Sequence, residues 1–306
     1  MQIQEALGEY LLQLEADGRS KHTRDQYKRH VELLSRWLTT SGTEPAVNDI
    51  DNRHMARFLA SDHVVLRADG QPRKASSANT VRSSMRTFFG FLLEAGLVQQ
   101  NAARLVRRAR TVPGPPRALS APEQERLLKV LDAAETPASR RDRVLFRMML
   151  ATGVRLGEAL AIRVKDVALE EAEIRLRFQK GGGEGVLFLS AGTVEMLGEY
   201  LGAVDSVWLF PGSDGQSLTS RHAHRRLSQV LEKAKIARDA SPHSLRHTFA
   251  TDLYRRSGDL LLVKEALRHR SINSTLIYAR CDAGRLRGTL QGSGDNPAEY
   301  RVDGAR

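Results

Sequence analysis

His243 and Arg246 stand three apart in "SPHSLRHTFATDLYRR", residues 241–256, just after a serine that can cap a helix and a proline suited to its first turn. Residues at that spacing are neighbours on a helix surface, and a helix N-terminus offers unpaired N–H groups, so two potentially cationic side chains converge where an anion can bind. The same pair also fits an ordinary solvated basic face. In "ATGVRLGEALAIRVKDV", residues 151–167, Gly153 breaks one helix, Arg155 starts the next, and Glu158 stands one turn on, where it can hold or orient basic neighbours. The bland alternative is an exposed ion pair worth about a few tenths of a kcal/mol. Lys180 sits beside "GGG", at the tip of a turn that can approach a ligand or simply be solvated. Finally, "LRHRSINSTLIYAR", residues 267–280, places Tyr278 nine residues after His269 in a chain with few aromatics.

Something must position these groups, and the composition bounds it. A chain of 306 residues suits two domains, since domains cluster at roughly 100–200 residues. The formal charge of +11 and pI near 10.1, with arginines clustered in "RLVRRAR" (104–110) and "RHAHRR" (221–226), make a polyanion the natural partner. Cys281 is the only cysteine, so an internal disulfide and a multi-thiolate zinc site are excluded, and a reducing compartment is expected. The N-terminus lacks the pattern of a secretory signal, and no run of about eighteen apolar residues occurs, so a soluble, intracellular protein with no membrane span is expected.

Periodicity predicts a helix over 3–15 and another through 20–38, with Tyr27, Val31, Leu34 and Leu38 on one stripe and Thr23 as its cap. A further helix through 77–96 places Val81, Met85, Phe88, Phe89 and Leu92 on one face, and the polar stretch 66–77 reads as a loop. "RARTVPGPPRAL", residues 108–119, cannot continue a helix and reads as a linker. After it, Ser120 and Glu123 stand in capping-box spacing, marking a new helix and a new domain. Helices are expected at about 120–133 and 140–151, then a strand over 172–178 with Ile174, Leu176 and Phe178 on one face, turning at Gly181–Gly183 into a second strand. In the helix that begins at Pro242, Leu245, Phe249 and Leu253 form the expected buried stripe.

In this order, Arg155, Lys180, His243, Arg246, His269 and Tyr278 resemble the active site of the tyrosine recombinases, the phage-integrase family. "TGVRLGE" looks like the first arginine box, "HSLRH" like the His-x-x-Arg box, and "LRHRSINSTLIYAR" like the final box with its tyrosine. "HTRDQY", "TFFGFLLEAGLV" and "NAARLV" are similar to the family's helical core-binding domain, so the resemblance spans about residues 1–292. It implies a mainly α fold with a small β component: a SAM-like core-binding domain at 1–110, a linker at 111–118, a mixed α/β catalytic domain at 119–292, and a disordered tail at 293–306. The chain begins directly with the core-binding module, without an arm-binding domain ahead of it, which favours the short, Xer-like members.

The resemblance implies that Tyr278 attacks a DNA phosphodiester, leaving a 3′-phosphotyrosine and a free 5′-hydroxyl. A phenol with a pKa near 10 needs a proton acceptor and a cationic field to do so. Arg155 and Arg246 then fork onto the non-bridging oxygens, His243 takes the phenolic proton or holds the phosphate, His269 donates to a non-bridging oxygen, Lys180 protonates the leaving 5′-oxygen, and Glu158 supports the arginines. No metal, cofactor or small-molecule substrate is expected. The implied partners are double-stranded DNA and sister or related protomers in a tetramer on two DNA sites, in the cytoplasm with the nucleoid. Xer-like resolution of chromosome or plasmid dimers is the expected function. A mobile-element integrase, a type IB topoisomerase and a non-catalytic DNA-binding protein are the alternatives. Two departures stand out: Arg268 occupies the place of the family's usual glycine, where it either shifts His269 or adds a phosphate contact, and "GGGEG" leaves Lys180 as the hairpin's sole lysine.

Overall fold

Ser20, not Thr23, starts the second helix: its Oγ accepts the Thr23 N–H at 3.3 Å, satisfying one of the donors that every helix start leaves over. The computed structural model describes residues 1–40, 46–111, 117–177, 185–237, 240–269 and 271–279, and the chain divides into two compact units, Met1–Val112 and Pro113–Arg306. The first contains α1 (Ile3–Ala16), α2 (Lys21–Thr39), α3 (Asn52–Ala60), α4 (Asp62–Val65) and α5 (Ala75–Glu94). Val31, Leu34 and Leu38 are buried as their spacing requires, while Tyr27 is half-buried and packs edge-on to Tyr10 with ring centroids 5.6 Å apart. Val81, Met85, Phe88, Phe89 and Leu92 of α5 are all buried in the same core.

The stretch read as a loop over 66–77 is shorter than expected. Leu66 bridges to Pro72 across a tight turn at Gly70, whose φ of +76° suits glycine, and Arg73 donates back to the Leu66 carbonyl, so α5 can begin at Ala75. The buried Asn79 amide treats Ala109 as a strand partner, donating to its carbonyl at 2.8 Å and accepting its N–H at 2.7 Å. That pair ties the end of the first unit to α5.

The second unit contains α6 (Ala121–Asp132), α7 (Pro137–Thr152), α8 (Leu156–Leu160), β1 (Val167–Ala168), β2 (Glu173–Leu176), β3 (Gly185–Phe188), α9 (Ala191–Leu201), α10 (Ser220–Lys233), α11 (Pro242–Ser257), α12 (Leu260–Ala266) and α13 (Leu276–Ala279). Glu123 accepts from both the N–H and the hydroxyl of Ser120 at the start of α6. α7 starts at Pro137, earlier than expected, because Thr136 and Ser139 cap it. The strands form an antiparallel sheet in the order β1-β2-β3, with the inward Ile174 opposite Leu187. β1 has no counterpart in the periodicity, being only two residues long, and Phe178 and the turn at Gly181–Gly183 lie outside the described residues. The "RHAHRR" cluster falls on α10, whose Ala223, Leu227 and Leu231 are buried while Arg226 pairs with the buried Asp142 at 2.5 Å. Among the described residues no helix is long and apolar enough to cross a membrane.

Candidate active site

The helix that carries the His-x-x-Arg spacing lies at the centre of its unit, packed against α7, α12 and α13. Its surroundings change the reading of its faces. Leu245 is buried, but Phe249 and Leu253 are only partly so, and Arg246, on the adjoining face, is 1 % exposed, which rules out the ordinary solvated face for it. The guanidinium is accommodated because Nη1 donates to the Gly153 carbonyl at 2.5 Å and Nη2 to the Leu267 carbonyl at 2.6 Å. Among the described residues, these bonds take two of its five N–H donors. Gly153 ends α7 in the left-handed conformation, φ +64°, and a Cβ there would lie 2.4 Å from the Phe249 ring, so glycine is required twice over.

Arg155 follows at the start of α8. Its Nη1 reaches Glu158 Oε1 at 2.6 Å, and its N–H reaches Oε2 at 3.2 Å. Glu158 is buried, so this is no exposed ion pair. The same carboxylate accepts Arg268 Nη2 at 3.0 Å. Burial works against the charge of Glu158, but the hydrogen bond from Arg155 and the charges of Arg268 and Arg155 hold its carboxyl below the usual range. Among the described residues no carboxylate hydrogen-bonds to Arg246; the charge of Glu158 reaches it, but against the three guanidinium groups of Arg155, Arg246 and Arg268 one carboxylate leaves the site net positive.

Arg268 takes up the left-handed conformation itself, with φ +52°. Its N–H bonds to the Glu265 carbonyl at 2.8 Å and that of His269 to the Lys264 carbonyl at 3.0 Å, the paired closure of a helix end that glycine usually makes. Arginine therefore occupies a glycine's conformation without altering the bond that places His269, and its side chain is committed to Glu158. Thr275, fully buried, fixes the His269 ring through an Oγ1–Nδ1 hydrogen bond of 2.9 Å, leaving Nε2 as the nitrogen able to face a ligand.

Tyr278 is 2 % exposed and packs with Ala250, Val263 and Leu267. Its hydroxyl meets Nδ1 of His247 at 2.9 Å, not His243. His243 stacks edge-on to His247, with ring centroids 4.6 Å apart. Burial, with the charges of His243 and Arg246, pulls His247 down to about 4. His269 falls to about 4 through burial and the charges of Arg246 and Arg155, and His243 is lowered by the same causes. Burial pushes the Tyr278 phenol up to about 12 against the pull of Arg246. At pH 7 the imidazoles are neutral and the phenol is protonated.

The structure thus brings Arg155, Glu158, His243, Arg246, His269 and Tyr278 into one bonded and electrostatically coupled cluster. Lys180 lies outside the described residues. His247 and Thr275 were absent from the sequence-based set. The sequence signal for His247 is its place one turn after His243 on the same helix. For Thr275 periodicity offers none, because its bond crosses a turn. Among the described residues, no group of three or more His, Cys, Asp or Glu is placed to hold a metal ion.

The model of the phage integrase family matches residues 117–285, and that of the phage integrase N-terminal SAM-like domain matches residues 7–96. Tyrosine recombinase XerC of Vibrio cholerae is 33 % identical over 275 residues, covering 88 % of this chain and 85 % of that one. Tyrosine recombinase XerD of Ralstonia nicotianae is 30 % identical over 279 residues, covering 89 % and 87 %. Among solved structures, the pre-cleavage complex of the XerH site-specific recombinase with its difH substrate is similar at a TM-score of 0.70 and 25 % identity, covering 93 % of this chain and 83 % of that one. Fold, ordered arginine, histidine and tyrosine residues, and relatives agree: this chain belongs to the phage integrase family and is a tyrosine recombinase.

Proposed function

We propose that Tyr278 is the nucleophile with which this recombinase cuts and rejoins duplex DNA. Its Oη attacks a backbone phosphorus, the bond to the 5′-oxygen breaks, and the 3′-phosphate remains on the tyrosine. The phenolic proton is released to water as the new bond forms, and the departing 5′-oxygen receives a proton from Lys180. Reversal by another 5′-hydroxyl reseals the strand with the bond energy retained, so no nucleotide cofactor is consumed.

The reading is carried by the convergence of a buried phenol with Arg246, whose charge acts on it directly. Arg155 and Arg246 bind the non-bridging oxygens and offset the charge that develops there, a task that suits a planar fork better than an ammonium. Glu158 holds Arg155 in place. His269, fixed by Thr275, donates from Nε2 to a non-bridging oxygen. His243 holds the phosphate, since its neighbour His247 occupies the phenol. Lys180 is the general acid for the 5′-oxygen.

Residues 1–110 serve as the core-binding domain, 111–118 as the linker, 119–292 as the catalytic domain and 293–306 as a tail. The function is Xer-like resolution of chromosome or plasmid dimers by a tetramer on two DNA sites, in the cytoplasm with the nucleoid. Its relatives XerC and XerD, and XerH held with its difH substrate, support this assignment. Incubation with a nicked suicide duplex tests it: wild type becomes covalently joined to DNA through Tyr278, while Tyr278→Phe binds the duplex and forms no adduct. An adduct mapping to another tyrosine, such as Tyr254, refutes the assignment.

A further inference from the structure

Oη of Tyr278 and Nδ1 of His247 lie 2.9 Å apart, with the rings tilted at 58° and their centroids 5.7 Å apart. The two residues belong to different elements. Tyr278 is on α13, where its N–H bonds to the Thr275 carbonyl at 3.0 Å, and His247 is on α11, directly after the buried Arg246. The imidazole is wedged: its other neighbour is the His243 ring at 74° and 4.6 Å, so rotation of either ring disturbs the other. One helix therefore carries both the guanidinium whose charge acts on the phenol and the nitrogen that bonds it.

We propose that His247 is a positioning residue for the nucleophile: its Nδ1 accepts the Tyr278 hydrogen bond, holding the phenol in the site with its oxygen lone pairs free for phosphorus. The proposal rests on Tyr278 being the nucleophile. It assigns the imidazole proton to Nε2, because the opposite tautomer would donate into the lone pairs that must attack. The hydrogen bond holds the phenol without ionising it. Burial lowers the imidazole and raises the phenol, so both shifts disfavour proton transfer within the pair. His247 thereby removes the rotational freedom of a group that must meet a phosphorus at a fixed distance and angle, a constraint that orientation effects make kinetically costly to lose.

The test uses the full chain, a nicked suicide duplex, and His247→Leu, His247→Asn and His247→Gln. Asparagine keeps an acceptor near the Nδ1 position, glutamine places it near Nε2, and leucine has none. The expected result is adduct formation slowed about ten- to a hundredfold by leucine and glutamine, largely restored by asparagine, with DNA affinity and melting temperature little changed. Wild-type speed in the leucine variant overturns the proposal. So does equal slowing by asparagine and leucine, which would make the ring a packing element only. Should leucine fail to fold, asparagine must still exceed glutamine by about tenfold, and equality overturns the proposal. A wild-type adduct that maps away from Tyr278 refutes the proposed function instead, so the two failures are distinguishable.

Discussion

Nη1 of Arg246 donates to the carbonyl of Gly153 at 2.5 Å, tying the middle of α11 to the end of α7 across 93 residues of sequence. The opposite nitrogen holds the Leu267 carbonyl just ahead of the turn that places His269. Lysine has one nitrogen and cannot hold two carbonyls and a phosphate together. Arg246→Lys is therefore expected to slow single-turnover cleavage by at least about a hundredfold. It should also lower stability by roughly 1–3 kcal/mol, because a buried carbonyl loses its donor. Suicide-substrate kinetics and urea unfolding measure the two effects, and a variant matching wild type in both would contradict the arrangement.

Glu158 answers Arg155 and Arg268 together. Glu158→Gln leaves two guanidinium groups beside a neutral amide and is expected to cost about 3 kcal/mol, in the range for breaking a buried pair. Arg268→Gly loses one ion pair but relieves a left-handed non-glycine residue and removes Nε, which has no hydrogen-bond partner. Those effects oppose each other, so a net change within about 1 kcal/mol is expected. Urea midpoints of both variants compare them, and a larger loss from Arg268→Gly would reverse the order.

Unfolded histidine titrates near 6.5, whereas folded His247 and His269 titrate at about 4. Between these values the unfolded chain binds more protons than the folded one, so stability falls as the pH drops from about 6.5 toward 4 and is fully recovered above that window. Urea unfolding at pH 7 and pH 5 should show a lower midpoint at pH 5. His269→Asn should make the difference smaller. An unaltered pH dependence in that variant would show that His269 titrates normally.

Lys180→Ala is expected to abolish most cleavage of ordinary DNA yet regain it on DNA with a 5′-bridging phosphorothiolate, since a thiolate leaves without being protonated. Arg155→Ala should gain much less if, as proposed, it acts on the non-bridging oxygens. Equal rescue of both would assign the proton to another residue.

The elements were legible wherever one face repeats: Val81 to Leu92 on α5, or Ile174 and Leu176 on β2, declare their inward side by spacing alone. The candidate site was legible as an order of residue types. Periodicity left the environment of Arg246 open between an anion site and a solvated face, because the carbonyls of Gly153 and Leu267 that make its burial tolerable lie just past the ends of α7 and α12, far from it in sequence. The same limit hid Thr275 behind a turn. It hid the use of Arg268 as well, since a side chain's direction depends on a backbone sign that no apolar pattern encodes. Ser20 for Thr23 is a smaller error of the same origin, a helix boundary being a matter of which hydroxyl reaches which N–H.

The left-handed turn at Arg268 also bears on the order in which substitutions can accumulate. Glycine at this position is free of strain, whereas arginine costs about 1 kcal/mol of backbone energy and buries a cation. Only a carboxylate opposite makes that cation tolerable, so the arginine depends on Glu158 being present first. Once it is there, loss of the acid is more damaging in this chain than in one with glycine before the histidine. Two positions 110 residues apart in sequence are thereby linked in one direction: the arginine can be exchanged for glycine with the acid in place, but the acid cannot be lost while the arginine remains.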